Sequence, residues 1–367
     1  MNKKEEIEEK TTKVRNLMKS LDLEAILLKK QSNYSWLTAG GMNMVSIGTE
    51  IGVTSLLITE NDRYVIASKI ESPRAMEEEK LEDLGFMLME YNWYEPRESE
   101  LLKSVVPDMK IGCDVGVYGL RNIDVELRRI RYSLMPEEQE RYLWLGEKVS
   151  ESIEKVMVEA PHSCTEAELT GELTRRLWKL RIDQIGFQAG SDERAYKYRH
   201  PIPTEKKIDR YLLFNVMARK WGLTLTITRT MSFGKVSAEI REQYKDNLFI
   251  ENSMIAATRP GAIAGDIFEM TCDQYDKHGY KDEWRKHHQG GSAGYRLRDY
   301  ICTRETKEVV QDNQAFCWNP SISGTKTEDT FIVRGDGMEF VTKPIVFPTI
   351  VQTVSGLQFV RPGILER

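Results

Sequence analysis

Two apolar stretches separated by one glycine constrain the fold of this chain more than any other feature. Apart from Asn215, residues 211–216 are a run of large apolar side chains about as long as a β-strand, and residues 223–230 alternate apolar residues, and Arg229, with threonine. A short apolar run is typical of a buried strand, and alternation is typical of a strand because successive side chains point to opposite faces of a sheet. A turn at Gly222 would join them, so the sequence predicts a β-hairpin.

A stiff loop leads into this hairpin and carries one histidine, His200. Pro201 and Pro203 each restrict the residue before them to extended geometry, which limits the conformations of the loop. An imidazole with a pKa of about 6.5 takes up and releases a proton near neutral pH. His200 is therefore a candidate acid/base residue.

Length and charge limit the classes of protein to which the chain can belong. At 367 residues it exceeds one typical domain, so we expect two. The formal net charge is −5 and charges of both signs are interleaved, which predicts no nucleic-acid partner and no membrane partner. The first ten residues carry acidic side chains where a signal peptide needs an apolar core, and no apolar run approaches the roughly 20 residues that span a bilayer. These features predict a cytoplasmic protein.

The cysteines are odd in number and form no Cys-x-x-Cys pair; they are Cys113, Cys164, Cys272, Cys302 and Cys317. This pattern argues against a disulfide framework and against a zinc site. We expect reduced thiols that pack as small apolar side chains.

Helical and strand patterns alternate over residues 1–132, which predicts an N-terminal α/β domain. Helices are expected at 3–20, 71–83 and 98–105, with Asn33 as the N-cap of a further short helix, and strands at 25–28, 53–59, 64–67, 86–90 and 110–114.

A second domain of the α+β class is predicted for residues 136–367. Pro136 suits the first position of a helix, and Thr165 with Glu168 fits a capping box. Besides the hairpin, helices are expected at 138–158, 165–181, 237–254 and 263–278, and strands at 315–318, 329–333 and 339–342.

Two polar clusters in the second domain favour a functional site. His287 and His288 precede a glycine-rich stretch, which is typical of a backbone that a ligand or a strand approaches closely. Glu328 and Asp329 open an apolar strand, so one carboxylate should point inward and one outward. The plainer alternatives are one solvated and one core histidine, and a charge pair at a strand end. The sequence contains no Gly-x-Ser-x-Gly, His-Glu-x-x-His or P-loop motif.

Together these segments resemble the "pita-bread" superfamily of creatinase, aminopeptidase P, prolidase and methionine aminopeptidase over nearly the whole chain. Residues 33–41 resemble a segment of creatinase-type N-terminal domains, and residues 161–166 resemble the loop between the first two helices of the catalytic domain. Thr228-Arg229-Thr230 and Glu328-Asp329-Thr330 match two strand motifs of the family. The resemblance implies a creatinase-like N-terminal α/β domain and a C-terminal pita-bread fold.

Peptidases of this superfamily hold two divalent ions with two Asp, one His and two Glu residues, and this chain departs from that set. The Asp positions match Asn215 and Thr226, the Glu positions match Asn319 and Glu328, and the His position matches His288, or Gly291 if the later glycines set the register. Asn and Thr are neutral, weak ligands, so the resemblance predicts no bound metal and no cofactor.

Creatinase hydrolyses a C–N bond without metal and uses a histidine as acid/base. His200 matches that histidine in position. The resemblance implies that Glu328 stabilises the imidazolium or orients the water, with His288 as the third member of the catalytic group.

Substrate contacts are expected from several positions. Asn215, Thr226 and Asn319 would form a neutral polar pocket, Arg229, Arg298 and Lys326 are candidates to hold a carboxylate, and Tyr295 follows the glycine-rich stretch. Structural salt bridges are the alternative for the three cations. In the creatinase type, one subunit's N-terminal domain closes over the partner's site, which implies a homodimer with Trp36 and Asn43 as contacts in trans.

We therefore expect a metal-independent, creatinase-like hydrolase of a C–N bond in a small carboxylate-bearing substrate. Two alternatives stay open at this point. One is a catalytically inactive pita-bread protein that binds a ligand or partner, and the other is a metal-dependent Xaa-Pro dipeptidase or aminopeptidase.

Overall fold

A computed structural model describes residues 2–335 and 337–367. The chain divides into two compact units, one of Met1–Tyr132 with Trp221–Leu223 and one of Ser133–Lys220 with Thr224–Arg367. Within the described ranges, no helix is both long and apolar enough to cross a membrane.

The first unit is built on a mixed sheet with helices. Its helices are α1 (Lys3–Ser20), α2 (Gln31–Leu37), α3 (Glu98–Val105) and α4 (Asp124–Ile130), and its strands are β1 (Ala25–Lys30), β2 (Ile51–Thr59), β3 (Arg63–Ser68), β4 (Met87–Tyr91), β5 (Ile111–Cys113) and β6 (Arg121–Asn122). The strand order is β4-β3-β2-β1-β5-β6, with β1–β2 and β2–β3 antiparallel and the other pairs parallel. Leu27, Leu57 and Ile66 from neighbouring strands pack in its core.

Two expectations for this unit are wrong. Asn33 does not cap a helix, because α2 already begins at Gln31 and the buried Asn33 amide donates to Asp114 Oδ2 at 2.9 Å. The expected helix at 71–83 is one short π-helical turn, Arg74–Glu78. Lys80 has a positive φ of 55°, which is incompatible with continued right-handed helix.

The second unit combines long helices with several antiparallel strands. Its helices are α5 (Pro136–Glu159), α6 (Glu166–Lys179), α7 (Glu193–Lys197), α8 (Ala238–Ala257) and α9 (Ala264–Lys277), and its strands are β7 (Asp183–Ser191), β8 (Tyr211–Lys220), β9 (Leu223–Ser232), β10 (Gly290–Ala293), β11 (Tyr300–Ile301), β12 (Ala315–Trp318), β13 (Ser321–Ile322), β14 (Thr325–Lys326), β15 (Asp329–Arg334), β16 (Gly337–Phe340), β17 (Thr349–Val354), β18 (Leu357–Pro362) and β19 (Leu365–Glu366). The two larger sheets have the orders β19-β9-β8-β7 and β11-β10-β12-β15-β16, and β13-β14 and β17-β18 pair separately.

Strands β8 and β9 form the predicted hairpin and are longer than the sequence pattern indicated. Trp221 and Gly222 connect them, and both have positive φ, 54° and 77°. A two-residue turn of this kind matches the twist of the flanking strands, and glycine adopts it without strain. Every residue of β9 is buried. The alternation of apolar residues and threonine along β9 therefore does not mark one buried face and one solvent-exposed face.

The first helices of the second unit begin where the sequence predicts. Pro136 occupies the first turn of α5. Thr165 Oγ1 accepts from the Glu168 amide at 3.1 Å, and Glu168 Oε2 accepts from the Thr165 amide at 2.8 Å, which confirms the capping box. The cysteines are free and buried, as predicted.

A buried ion-pair network joins two helices and three strands of the second unit. Asp329, at the start of β15, lies 3.0 Å from Arg229 of β9 and 3.0 Å from Arg361 of β18. Arg229 also pairs with Glu154 of α5 at 2.7 Å, and Arg361 pairs with Glu251 of α8 at 2.7 Å. All five side chains are at most 1% exposed. Because an unpaired charge is costly in the interior, the network fixes where these elements lie relative to β15.

Removing one cation from this network should destabilise the second unit strongly. Arg229→Met leaves Glu154 and Asp329 buried without their shared cation, which should lower the free energy of unfolding by about 3–5 kcal/mol. Arg175→Met is the matched control, since Arg175 pairs with Glu172 at 2.7 Å but is 55% exposed. The control should change stability by less than about 1 kcal/mol. Equal losses in the two variants on urea denaturation would contradict a structural role for the network.

Candidate active site

The buried carboxylate of Glu328, directly before β15, lies at the centre of the candidate site. Its Oε2 accepts from Asn215 Nδ2 and from Thr228 Oγ1, both at 2.9 Å. Lys326 Nζ lies 3.2 Å from the same oxygen, and Arg298 Nη2 lies 3.0 Å from Oε1. Both oxygens of this carboxylate are therefore bound by donors from within the protein.

Two cations face this single carboxylate. Burial alone would raise the pKa of Glu328, but the charges of Lys326 and Arg298 outweigh that effect and hold the pKa below its ordinary value. Glu328 is therefore ionised, and the three side chains together carry one net positive charge. A polar site with this charge attracts an anionic ligand.

A small cavity of about 20 Å³ adjoins this group and has room for about one water molecule. Its lining includes Asn215, Lys326 and Ser321, together with Pro201 of the loop that carries His200. Within the described ranges, Asn215 Oδ1 and Ser321 Oγ are buried and have no hydrogen-bond partner. Unpartnered polar atoms beside a cavity favour a bound water or a ligand group there.

Three imidazoles form a second group, here called the histidine cluster: His200, His287 and His288. His200 Nε2 and His287 Nε2 are 2.9 Å apart. The rings of His287 and His288 stack with their centroids 4.4 Å apart. His200 is exposed, His288 is half-buried and His287 is buried. The solvent-accessible ring of His200 is thus supported by a buried one.

The pKa of each imidazole in the cluster is below its ordinary value. Loss of solvent on the side facing the protein, then the charge of Lys326, lowers the pKa of His200, and Glu328 offsets part of this shift. Burial and Lys326 also lower the pKa of His287. Burial lowers the pKa of His288 to about 4. The cluster is therefore uncharged near neutral pH, and each ring has one N–H and one lone pair.

An ion pair joins the two loops that carry these rings. Arg199, which precedes His200, pairs with Glu283. Glu283 begins the 3-10 helix Glu283–Lys286, and His287 follows that helix directly. Burial would raise the pKa of Glu283, but hydrogen bonds from Lys286 and Arg199 hold it at about 2. Glu283 is therefore ionised near neutral pH, and the contact between the two loops is an ion pair.

Two residues expected to bind substrate make structural contacts instead. Arg229 is fully buried and pairs with Glu154 and Asp329, so the alternative of a structural salt bridge is the correct one. Tyr295 is 3% exposed, and its hydroxyl donates to Glu138 Oε1 at 2.6 Å. Neither polar group is available to a ligand, because partners distant in sequence already bind it.

The expected division between an inward and an outward carboxylate is also wrong. Glu328 and Asp329 are 2% and 1% exposed. They still point in opposite directions, one to the candidate site and one to the ion-pair network, but protein covers both faces of β15. The alternation of side chains along a strand predicts that neighbours lie on opposite faces of the sheet, but it does not show whether either face contacts solvent.

The structure does not support the two contacts expected in trans. In the first unit, Asn43 is fully buried and its Nδ2 donates to the Thr54 carbonyl at 2.9 Å. Trp36 is 2% exposed. Side chains buried in a single chain do not reach a partner's site. The homodimer itself stays a prediction, as do the roles of Thr226 and Asn319 in substrate binding.

The sequence singled out His287 together with His288, but it did not indicate that His287 contacts His200. That contact joins residues 87 positions apart, and no local pattern relates the two loops. The signal in the sequence was the adjacent His287-His288 pair, for which one solvated and one core ring was the plainer alternative. Gln188 Oε1 accepts from Lys326 Nζ at 3.3 Å. No pattern in the sequence indicates that Gln188 belongs to the site.

Comparison with known proteins yields a family match over more than half of the chain. Residues 145–340 match the profile of metallopeptidase family M24. An uncharacterized peptidase of Staphylococcus aureus strain MRSA252 is 23% identical over 240 residues, which cover 63% of this chain and 68% of that protein. A counterpart from strain MW2 matches to the same extent.

Solved structures resemble the chain over almost its whole length. The dipeptidase PepE from Mycobacterium ulcerans has a TM-score of 0.79 at 13% identity and covers 100% of both chains. The prolidase from Pyrococcus horikoshii has a TM-score of 0.76 at 15% identity, covering 92% of this chain and 99% of that one. The Xaa-Pro dipeptidase from Bacillus anthracis has a TM-score of 0.74 at 18% identity, covering 92% and 98%. This likeness confirms the predicted pita-bread fold with an N-terminal domain.

The buried imidazole of His287 predicts how stability depends on pH. Burial lowers its pKa in the folded chain, whereas the unfolded chain protonates this ring below about pH 6.5. The free energy of unfolding is therefore not reduced by His287 above pH 6.5. As the pH falls below 6.5, protonation of this ring in the unfolded chain lowers the free energy of unfolding by up to about 1.4 kcal/mol per pH unit. His287→Gln cannot titrate, so its unfolding free energy should fall less between about pH 7 and pH 5. Parallel curves for both proteins, measured by urea denaturation after chelator treatment, would show that the ring is not held neutral.

Proposed function

The chain belongs to metallopeptidase family M24, and we propose that within this family of hydrolases it cleaves a C–N bond without a catalytic metal. The proposed substrate is a small molecule that bears a carboxylate, and His200 is the proposed general acid/base. The observation that carries the proposal is the pairing of Glu328 with two protein cations, Lys326 and Arg298.

The residues at the family's metal positions do not fit a pair of divalent ions. The resemblance places neutral residues at three of the carboxylate positions: Asn215, Thr226 and Asn319. Glu328 remains, but its oxygens already bind Lys326 and Arg298 at 3.2 and 3.0 Å. An ammonium and a guanidinium at that distance supply positive charge to the carboxylate and repel a divalent ion. No step of the proposed reaction therefore passes through a metal.

His200 has the exposure and the protonation state that a general base needs. Its ring is exposed, and its lowered pKa leaves it neutral near pH 7. In the proposed reaction, His200 takes a proton from water while the water oxygen bonds to carbon, and it returns the proton to the nitrogen that leaves. Glu328 stabilises the intermediate imidazolium, in accord with the way its charge raises the pKa of His200.

The charge of the site supports a substrate with a carboxylate. Lys326 and Arg298 together carry two positive charges, and Glu328 neutralises one of them. Within the described part of the chain, Arg298 Nε is buried and has no hydrogen-bond partner, and a guanidinium binds carboxylate oxygens with well-defined geometry. The cavity next to Glu328 has room for about one water. The body of the substrate would therefore lie outward of this cavity, toward the exposed ring of His200.

Replacement of His200 tests the proposed proton transfers. His200→Gln keeps a polar side chain of similar length that cannot exchange a proton near neutral pH, so conversion should fall about 100-fold or more. His278→Gln, which alters a histidine at the end of α9, is the matched control and should keep its activity. Candidate substrates are small molecules with a carboxylate and a C–N bond, Xaa-Pro dipeptides included, and conversion is followed by mass spectrometry. Activity should persist in excess EDTA.

Two other outcomes would favour other functions. Loss of conversion in EDTA, with about two Mn, Co or Zn ions per chain on elemental analysis, would favour a metal-dependent Xaa-Pro dipeptidase or aminopeptidase. Tight binding of one candidate without conversion, kept in His200→Gln, would favour an inactive binding protein.

A further inference from the structure

The histidine cluster offers a metal site separate from Glu328. One candidate ligand nitrogen of each ring lies within 4.8 Å of the other two. Among the described residues, this is the one group of three or more His, Cys, Asp or Glu side chains with such spacing, and Glu328 is not a member of it. Three imidazoles without a carboxylate select ions different from those that an oxygen-rich set selects.

We propose that His200, His287 and His288 bind one divalent transition-metal ion that prefers imidazole ligands, such as Zn²⁺, and that this ion inhibits the enzyme. Inhibition follows because a metal on His200 occupies the lone pair that would accept the proton from water. The inhibitory part rests on the proposed function, whereas the binding part does not. The expected response to metal is then the reverse of that in a metal-dependent peptidase.

The distances between the rings suit such an ion. A Zn–N bond measures about 2.0–2.1 Å, so two nitrogens on a tetrahedral ion lie roughly 3.3 Å apart. His200 Nε2 and His287 Nε2 are 2.9 Å apart, so they need to separate by about 0.4 Å, and the exposed ring of His200 needs to turn so that both lone pairs point at the ion. His288 stacks on His287 and is close enough to supply the third nitrogen. The exposed ring of His200 leaves solvent access for entry and for a water as fourth ligand.

An unpartnered nitrogen of His288 provides a second observation. His288 Nδ1 is buried and has no hydrogen-bond partner among the described residues. A buried nitrogen without a partner is costly, and a metal ion bound to that nitrogen is one partner that a neutral imidazole accepts. Neutral imidazole is also the form that binds metal, so the cluster needs to release no proton.

The charges around the cluster limit its affinity for a dication. Lys326 acts on His200 and His287, and Arg298 acts on His288. Glu328 cancels one of these two charges. The remaining positive charge opposes Zn²⁺, so the ion should bind reversibly and more weakly than at a structural zinc centre. Reversible occupation of an acid/base residue is suited to inhibition when zinc is abundant.

Calorimetric titration of ZnCl₂ into the chelator-stripped, full-length chain tests binding without any substrate. We expect one equivalent per chain, and a loss of affinity of roughly 10-fold or more in His287→Gln and in His288→Gln. His162→Gln and His278→Gln, which alter histidines outside the cluster, are matched controls and should bind as the natural chain does. Circular dichroism verifies that each variant is folded. Co²⁺ as a second probe should give visible absorption without a thiolate charge-transfer band, because the cysteines are buried.

The results separate this inference from the proposed function. Absence of zinc binding, or equal binding in the two cluster variants and the controls, would overturn the metal site even if conversion still depends on His200. With an active substrate, added zinc should inhibit the natural chain, and His287→Gln should need roughly 10-fold more zinc for the same inhibition. Activation by zinc would overturn both the inhibitory role and the metal-independent reaction.

Discussion

Two neighbouring carboxylates are buried at the start of β15, and cationic side chains neutralise each of them. Asp329 pairs with two arginines of the ion-pair network, and Glu328 pairs with Lys326 and Arg298. Loss of the cation that pairs with a buried carboxylate lowers the free energy of unfolding by roughly 3–5 kcal/mol. Each pair therefore restrains the element that supplies its cation. These pairs hold Asp329 toward the ion-pair network and Glu328 toward the candidate site.

The sign of the remaining charge decides which chemistry the site supports. A site for two hard divalent ions needs an excess of carboxylates, whereas here Lys326 and Arg298 outnumber Glu328. That balance supports the proposed reaction, in which an anionic small molecule binds and a side chain carries the proton transfers. His200 is the proposed acid/base because its ring is exposed, neutral and in contact with His287. The same neutrality supports the proposed binding of zinc to the histidine cluster.

Features that depend on neighbours in sequence were predictable, and features that depend on distant partners were not. The turn at Gly222 and the capping box of α6 are set within a few residues, and both were predicted correctly. Arg229 could not be recognised as structural, because Glu154 lies 75 positions away. The contact of His287 with His200 was not predicted for the same reason, since the two residues lie 87 positions apart. The resemblance to a known family identified Glu328, but the cations that neutralise it are visible only in the folded chain.

Anomalous diffraction from crystals grown with Mn²⁺ or Co²⁺ would show whether protein cations or metal ions neutralise Glu328. If protein cations do so, Lys326 Nζ and the Arg298 guanidinium lie within hydrogen-bonding distance of the Glu328 carboxylate, and no anomalous peak appears among Glu328, Asn215 and Asn319. Two peaks between those residues, with the ammonium and the guanidinium turned away, would contradict neutralisation of Glu328 by protein cations.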